Sequence, residues 1–531
     1  MKKRIFAENK YMWLPVRKDG NPVKLDWYVE DKKVMEMDVP LTEGKPDYWS
    51  VFVVSQWENQ WMTVESENED CGINEEYCQI INEEKLPACP KGERPQIHYA
   101  PDTGWMNDPN GLIYLNGVWK IYHQYNPYGC KWGNMHWGAT ETRDFIHWKE
   151  TSVVLSPDES GVMFSGCGLL SKSDGEMWKK GDILYYYTAA GSVNKWSDGQ
   201  QYTQRLAVST DEGYHLGKKD VVILPTIAAE NRDPKVFWHE ETQAYVMILY
   251  IKDYIYHIYR SKDGIQWEKT QELTGDGMWE CPDLFQIRDE KTGETMWVFW
   301  ASQGYYYLGT FDGYHFDIKS EMMEAYAMPE KPEEQGRAYA AQTFSNTRGR
   351  VVQMAWLHMP DRGRCWNGQL SLPVELELSN SEQGRRMVMK PARELENLRK
   401  QETYRKIQKA ETYCLYEGEE KPLEMLMEGE MPKDGKTVLT IFGNPLTIDW
   451  EKCEVSFPDR KVIFCRQDEF SIRIYADVEV LEVFVMDGAY YLLNENKVRS
   501  LKGDVKIETD SEDVWNVYIY ELESVKKIPC I

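Results

Sequence analysis

The chain has 531 residues, of which 42% are hydrophobic and 28% charged, and its formal net charge at pH 7 is −25. A chain of this length rarely folds around a single hydrophobic core, so we expect two or three domains. The negative charge repels nucleic acid and anionic lipid, and no apolar run approaches the roughly 20 residues that cross a membrane, so neither is an expected partner.

Residues 1–92 are expected to form a small β-rich domain, because strand-like pieces occur at 48–54 and 61–64. An acidic stretch and the linker LPACPKGERP (86–95) follow. The opening MKKRIFAENK carries charge where a signal peptide would be apolar, which favours a cytoplasmic location unless a signal has been removed from a secreted protein. The 11 cysteines show no Cys-x-x-Cys pair, so we expect free thiols and no metal.

Residues 93–378 are predicted to form a β-propeller of five blades. Aromatic and β-branched runs predict strands at 118–125, 183–189, 244–250, 254–259, 296–301 and 351–357. A turn centred on an Asp recurs every 50 to 70 residues or so, at Asp144, Asp211, Asp263 and Asp312. Four short strands per repeat are typical of propeller blades, and the segment has room for about five of them.

The last part of the chain changes in composition. Residues 379–402 are predicted to be a linker with a short helix, in which PARELENLRK (391–400) places a Pro at the first helical turn. Residues 403–531 are predicted to form an antiparallel β-sandwich, with strands at 438–442, 446–450, 461–465, 471–475 and 481–486. The expected fold class is therefore all-β.

Three acids inside the predicted propeller are candidates for catalysis. Asp108 lies in WMNDPNG, Asp233 in NRDPKVFW and Glu280 in MWECPDLF, each beside a Pro at the junction of a strand and a turn. Any one of them alone would be read as a turn cap. Inner strands of propeller blades surround one axis, however, so the three can meet, and glycoside hydrolysis requires a pair of carboxyl groups.

The neighbours of two of these acids favour different roles. Arg232 precedes Asp233, which fits an acid that stays ionised. Glu280 stands between a Trp and a Cys, and this apolar company favours a proton donor.

Five motifs in order, WMNDPNG, YHQYNPYGCKWGNMHWG (122–138), FSG (164–166), NRDP (231–234) and ECPD (280–283), resemble glycoside hydrolase family 32. This is the β-fructofuranosidase family of invertases, inulinases and levanases, and the N-terminal extension resembles levanase-like members. DVEVLEVFVMDG (477–488) resembles a strand of the family's C-terminal sandwich. Ala139 stands where the family usually has His, and Val374 where Arg is common.

The resemblance implies a five-bladed propeller followed by a sandwich, and a role for each acid. Asp108 would be the nucleophile, Asp233 the stabiliser of the transition state and Glu280 the general acid/base. The residues that would line the substrate site are Asn107, Gln124, Trp132, Phe164, Ser165 and Arg232, with Trp105, Trp137 and Trp300 as further aromatic candidates.

The expected function is a retaining, exo-acting β-fructosidase that releases terminal fructose from sucrose, fructo-oligosaccharides or fructans by double displacement. It would need no metal and no organic cofactor, and its partners would be β-fructoside substrates. Three alternatives stay open: a fructosyltransferase on the same scaffold, an inverting five-bladed arabinan-type hydrolase, and a non-catalytic fructan-binding protein. The sequence decides neither the preferred fructan nor the oligomeric state.

Overall fold

The computed structural model describes residues 2–66, 81–82, 94–329, 336–381, 384–408, 410–418 and 420–528. In these residues the regular structure is β-strand, apart from three short 3-10 helices at Ser55–Trp57, Lys195–Ser197 and Arg393–Leu398. None of the helices in the described ranges has the length and hydrophobicity to cross a membrane. The cysteines of these ranges are all free thiols; Cys71, Cys78 and Cys89 lie outside them, as does most of the linker 86–95.

The N-terminal domain consists of two sheets around one hydrophobic core. One sheet has the spatial order Lys2–Phe6, Trp61–Glu65, Val23–Val29, Lys32–Val39, and the other Tyr48–Val53, Tyr11–Val16, Ile81–Asn82. Side chains of Val23–Val29 in one sheet and of Tyr48–Val53 in the other alternate between buried and partly exposed positions, as paired sheets require. Trp27 and Phe52 meet in this core with ring centroids 5.1 Å apart. The predicted strands at 48–54 and 61–64 are confirmed.

Five antiparallel sheets follow as the blades of a propeller, and the first strand of each blade is the innermost. In order from the inside, blade 1 has Gly104–Leu115, Val118–Asn126, His136–Thr142 and His147–Leu155; blade 2 has Val162–Leu170, Ile183–Ala190, Thr203–Ser209 and Gly217–Leu224; blade 3 has Arg232–His239, Ala244–Lys252, Ile255–Ser261 and Glu268–Thr274. Blade 4 has Asp283–Arg288, Thr295–Trp300, Tyr305–Phe311 and Phe316–Ile318, with Met323–Glu324 added; blade 5 has Arg337–Thr343, Val352–His358, Val374–Ser381 and Gly384–Pro391, with Gln369–Leu370 added.

The structure confirms the internal repeat that the Asp turns predict. Asp144, Asp211, Asp263 and Asp312 each lie between the third and fourth strands of blades 1 to 4. Their carboxylates accept hydrogen bonds from backbone N–H groups two to four residues further on, at 2.7–3.1 Å. Such a hydrogen bond closes a tight turn within a few residues, and this explains why an Asp recurs once in each of these blades.

Two strand pairs join blade 1 to distant parts of the chain, and the first of them closes the ring of blades. Trp366–Asn367, from the loop of blade 5, pairs in parallel with the start of the inner strand of blade 1. Lys526–Ile528, at the far end of the chain, pairs with the outer strand of blade 1. The outer hairpin of blade 5 continues to Pro391, and the 3-10 helix Arg393–Leu398 then leads out of the propeller.

The C-terminal domain is a sandwich of two six-stranded sheets, as expected. One sheet has the order Arg399–Ile407, Trp515–Leu522, Leu423–Glu430, Glu469–Ala476, Val480–Val485, Tyr490–Glu495; the other has Thr412–Glu417, Asp504–Thr509, Lys436–Ile441, Asn444–Asp449, Glu454–Phe457, Arg460–Ile463. Trp450 and Trp515 stack in the core between them, with ring centroids 5.5 Å apart.

A buried cluster of charged groups joins the propeller to this sandwich. His98, just before blade 1, lies 2.7 Å from Asp477 Oδ2 through Nδ1 and 2.7 Å from Glu482 Oε1 through Nε2, and the three side chains have no exposed surface. Both acids belong to DVEVLEVFVMDG, so this stretch holds the two domains together.

Candidate active site

The inner strands are irregular where they carry candidate residues. The register with the second strand shifts around Asp108, Ser165, Asp233 and Ala340, in blades 1, 2, 3 and 5. Asp233, Ala340 and Cys281 adopt left-handed φ values of 63°, 52° and 52°, a conformation that is strained for residues other than glycine. A bulge re-aims the side chains next to it, and all these bulges lie at the same end of the propeller.

WMNDPNG does not form a turn: it lies within the 12-residue inner strand Gly104–Leu115. The acid and amides of this motif predict a junction between a strand and a turn, and this prediction is wrong. A bulge between Met106 and Pro109 interrupts the pairing with the next strand. The carboxylate of Asp108 lies at this bulge, beside Ser165 and Cys281.

The three acids meet around the residue that follows Glu280. Cys281 Sγ lies 3.5 Å from Asp108 Oδ2 and 3.4 Å from Asp233 Oδ2, and its backbone N–H donates to Asp233 Oδ2 at 3.2 Å. Asp233 is buried, Asp108 is half-buried, and the Glu280 side chain is 25% exposed. Residues from the inner strands of blades 1 and 3 and from the entry to blade 4 therefore form one acidic site.

Two donors hold the carboxylate of Asp108. Ser165 Oγ donates to Asp108 Oδ2 at 2.8 Å, and Asn107 Nδ2 donates to Oδ1 at 3.2 Å. Trp105 Nε1 in turn donates to Asn107 Oδ1 at 2.9 Å, which fixes the orientation of this amide. Burial, followed by the charge of Glu280, raises the pKa of Asp108, while the bonds from Ser165 and Asn107 oppose the rise.

Arg232 pairs with Glu280 more closely than with its sequence neighbour. Its Nε donates to Glu280 Oε2 at 2.8 Å and lies 3.8 Å from Asp233 Oδ2. Although Arg232 precedes Asp233 in the chain, the bulge turns the two adjacent side chains to different partners. Tyr339 holds the other oxygen: its hydroxyl donates to Glu280 Oε1 at 2.9 Å.

Tyr339 was missed as a site residue by reasoning from the sequence. The signal that could have found it is its place in the fifth inner strand, since blades 1 to 4 had each already supplied a candidate near the start of theirs.

Asp233 is the acid whose titration the site perturbs most. Burial and the negative charge of Glu280 raise the pKa of Asp233 to about 7, with Arg232 opposing and Asp108 adding to the rise. Its backbone N–H donates to Thr188 Oγ1 at 3.1 Å, which anchors the strained residue to blade 2. The site thus holds three acids and one guanidinium group close together.

Aromatic side chains form one wall of the site. Trp132 is 53% exposed, and its ring meets Phe164 edge-to-face with centroids 6.2 Å apart. Phe164 in turn meets Tyr202 at 5.6 Å. The guanidinium group of Arg232 lies over the ring of Tyr250, 4.8 Å from its centroid. Such surfaces suit the C–H faces of a sugar ring, while the acids and amides suit its hydroxyls.

Two of the predicted aromatic contacts are corrected by the structure. Trp137 and Trp300 have no exposed surface, so neither can touch a substrate. Trp137 lies behind the site, where its Nε1 donates to the backbone oxygen of Phe164 at 3.0 Å. Trp300 packs in the core, with its ring 5.3 Å from that of Tyr326. Protein interiors are closely packed, and a Trp side chain between two sheets fills a large volume. Trp137 and Trp300 therefore serve packing and not contact with a substrate.

Gln124 is also buried, yet it is connected to the site. The side chain of Asn110, in the orientation that satisfies its hydrogen bonds, accepts from Gln124 Nε2 at 3.0 Å and donates to Ser165 Oγ at 3.3 Å. Gln124 therefore supports the residue that bonds Asp108, and it does not itself present surface to a ligand. Trp105, at 9% exposure, likewise acts mainly through its bond to Asn107.

Comparison with known proteins agrees with this geometry. Residues 98–391 match the model described as "Glycosyl hydrolases family 32 N-terminal domain". The levanase of Bacillus subtilis (strain 168) is 34% identical over 338 residues, which cover 58% of this chain and 48% of the levanase. The invertase of Debaryomyces hansenii is 33% identical over 293 residues, covering 50% and 52%. The chain thus spans about half the length of these curated relatives.

A solved structure shows the same fold. The exo-inulinase of Aspergillus awamori superposes with a TM-score of 0.70 over 81% of this chain and 98% of its own, at 21% sequence identity. The family model covers more than half of the sequence and contains all three acids. The chain belongs to glycoside hydrolase family 32.

Proposed function

We propose that the protein is a retaining, exo-acting β-fructosidase that releases terminal fructose from sucrose, fructo-oligosaccharides or fructans. The observation that carries this proposal is the meeting of Asp108, Asp233 and Glu280 around Cys281 at one end of the propeller. Family membership and the names of the similar proteins, levanase, invertase and exo-inulinase, support a β-fructoside as substrate.

In the first step Asp108 attacks C2 of the terminal fructosyl unit, and Glu280 protonates the leaving oxygen. The bonds from Ser165 and Asn107 support the role of Asp108, because they fix both of its oxygens and leave it few other orientations. Arg232 and Tyr339 fix Glu280 in the same way. Two acids held by separate sets of donors suit a division of roles between nucleophile and proton donor.

In the second step water, deprotonated by Glu280, attacks C2 and releases fructose with its configuration retained. Asp233 holds hydroxyls of the sugar and favours the positive charge that develops at the ring. Its 4% exposure supports the exo-acting mode, because a buried acid at the bottom of the site accommodates a terminal sugar more readily than the middle of a polymer.

The test is a product profile on sucrose, 1-kestose, inulin and levan, followed by chromatography and by NMR of the first product formed. The expected product is fructose, released as the β-anomer, with Asp108→Asn as the inactive control. Oligosaccharides without fructose would replace the exo-acting mode with an endo-acting one. First release of the α-anomer would refute retention, and products longer than the substrate would favour the transferase.

A further inference from the structure

The N-terminal domain lies against the end of the propeller that holds the acids. Three loops leave the blades at that end: 127–135 of blade 1, 191–202 of blade 2 and 359–365 of blade 5. The strand pairing places them there, because each follows a second strand whose last residues pair with the start of an inner strand. The N-terminal domain has contacts with all three loops.

The loop 127–135 has the most extensive contact. The N–H of Asp38 donates to Asn134 Oδ1 at 2.8 Å, and Asn134 Nδ2 donates back to the carbonyl oxygen of Asp38 at 2.9 Å. Ser50 Oγ, on the strand Tyr48–Val53 of the other sheet of the domain, donates to the carbonyl oxygen of Pro127. The side-chain amide of Asn134, bonded to the backbone of Asp38, fixes one end of the loop to the domain, and the hydroxyl of Ser50 fixes the other.

The underside of the same loop lies in the hydrophobic core of the N-terminal domain. Tyr128 and Cys130 are 1% and 7% exposed, and they pack in one cluster with Trp27 and Phe52. Between them and Asn134 stands Trp132, whose side chain points the other way, to Phe164 and the substrate site. The loop 127–135 thus buries Tyr128 and Cys130 in the core of the N-terminal domain and presents the ring of Trp132 to the site in the propeller.

A second contact extends this arrangement to blade 2. Glu36 of the N-terminal domain is buried, and its Oε1 accepts from the backbone N–H of Lys195 at 2.9 Å. Lys24 and Lys33 bond the same carboxylate from within the domain, at 3.1 and 2.6 Å. The ammonium group of Lys33 also lies 5.6 Å from the ring centroid of Trp196. The domain therefore makes ordered contacts on two neighbouring blades.

We propose that the N-terminal domain contributes to the active site of the propeller by positioning Trp132 for contact with the substrate; this rests on the proposed function. A loop without ladder hydrogen bonds of its own loses conformational entropy when a ligand fixes it. The bonds of Asp38 and Ser50 and the burial of Tyr128 fix it beforehand. Substrate binding then requires less ordering, so the domain acts on KM more than on kcat.

The test is a mutant cycle on sucrose and 1-kestose. Ser50→Ala removes the bond at one end of the loop and touches only the N-terminal domain. Asn134→Gly removes the bonds at the other end, together with the bond of Asn134 Nδ2 to Asn126 Oδ1 inside the propeller, and Gly suits the φ of 44° at residue 134. We expect KM to rise about fivefold with kcat within about twofold, and the same pair to change KM by less than about 1.5-fold in a Trp132→Ala background. Thr63→Ala, two strands away from the strand of Asp38 in the same sheet, is the control and should leave both constants unchanged.

A readout without turnover separates this proposal from the proposed function. Trypsin cleavage after Lys131, followed by mass spectrometry, should become about tenfold faster in the double variant. Ser50→Ala alone should speed this cleavage to a smaller degree, and Thr63→Ala should leave its rate unchanged. If the wild-type protein releases no fructose, the proposed function fails and the cleavage rates still decide the positioning. Equal cleavage rates, or KM effects that add to that of Trp132→Ala, would overturn the proposal.

Discussion

The buried contact between His98, Asp477 and Glu482 predicts how stability depends on pH. Burial by itself would lower the pKa of His98, but hydrogen bonds to the two carboxylates outweigh it and raise the pKa to about 9. An unfolded histidine titrates near pH 6.5. Because the folded pKa lies above the unfolded one, the stabilisation is complete below about pH 6.5 and is lost as the pH rises to about 9.

The size follows from the shift. A change of one pKa unit corresponds to about 1.4 kcal/mol, so a rise from about 6.5 to about 9 amounts to about 3 kcal/mol. The side chains have no exposed surface, so screening by solvent does not reduce this figure. Replacing His98 by Gln leaves two buried carboxylates without a cation, and we expect a loss of about 3–5 kcal/mol at pH 6.

The assay is urea unfolding from pH 6 to 10 at constant ionic strength, for the wild type and His98→Gln. The difference between the two should shrink by about 3 kcal/mol between pH 6 and 9.5, since only the wild type loses the charged histidine. His315→Gln, at an exposed site, is the matched control and should follow the wild type. A difference that stays constant over this range would refute a charged His98 in the folded protein.

Further predictions concern the acids. Asp108→Asn and Glu280→Gln should each lower kcat by about 10³-fold or more with unchanged thermal unfolding, and near wild-type rates would refute the role of that residue. Arg232→Gln should lower kcat/KM at pH 7 about tenfold or more and move the acidic limb of the pH profile upward, because the guanidinium opposes the raised pKa of Asp233; Arg232→Lys should move it less. With Glu280→Ala and a substrate that needs no proton donor, azide should restore turnover and give a β-fructosyl azide; an inverted adduct would contradict double displacement.

Much of the fold could be predicted from local patterns. Alternation and β-branched runs mark strands because each strand must bury one face, and the Asp turns mark blades because each hairpin closes through its own carboxylate. The short helix predicted at 391–400 proved to be a six-residue 3-10 helix. The turn predicted at WMNDPNG proved to be a bulged strand, since pairing with the neighbouring strand prevailed over the preference of Asn, Asp and Pro for turns.

The sequence by itself determined the all-β class and the repeat of the blades, and it predicted that Asp108, Asp233 and Glu280 would share one site, because these depend on residue type and spacing along the chain. Only the tertiary structure decided which groups touch. It directs Arg232 to Glu280, adds Tyr339, buries Trp137 and Trp300, and brings the N-terminal domain to the loop of Trp132. These contacts join residues tens to hundreds of positions apart, and bulges and left-handed residues on the inner strands set their directions. No local pattern encodes such directions, since they arise when five sheets close around one axis.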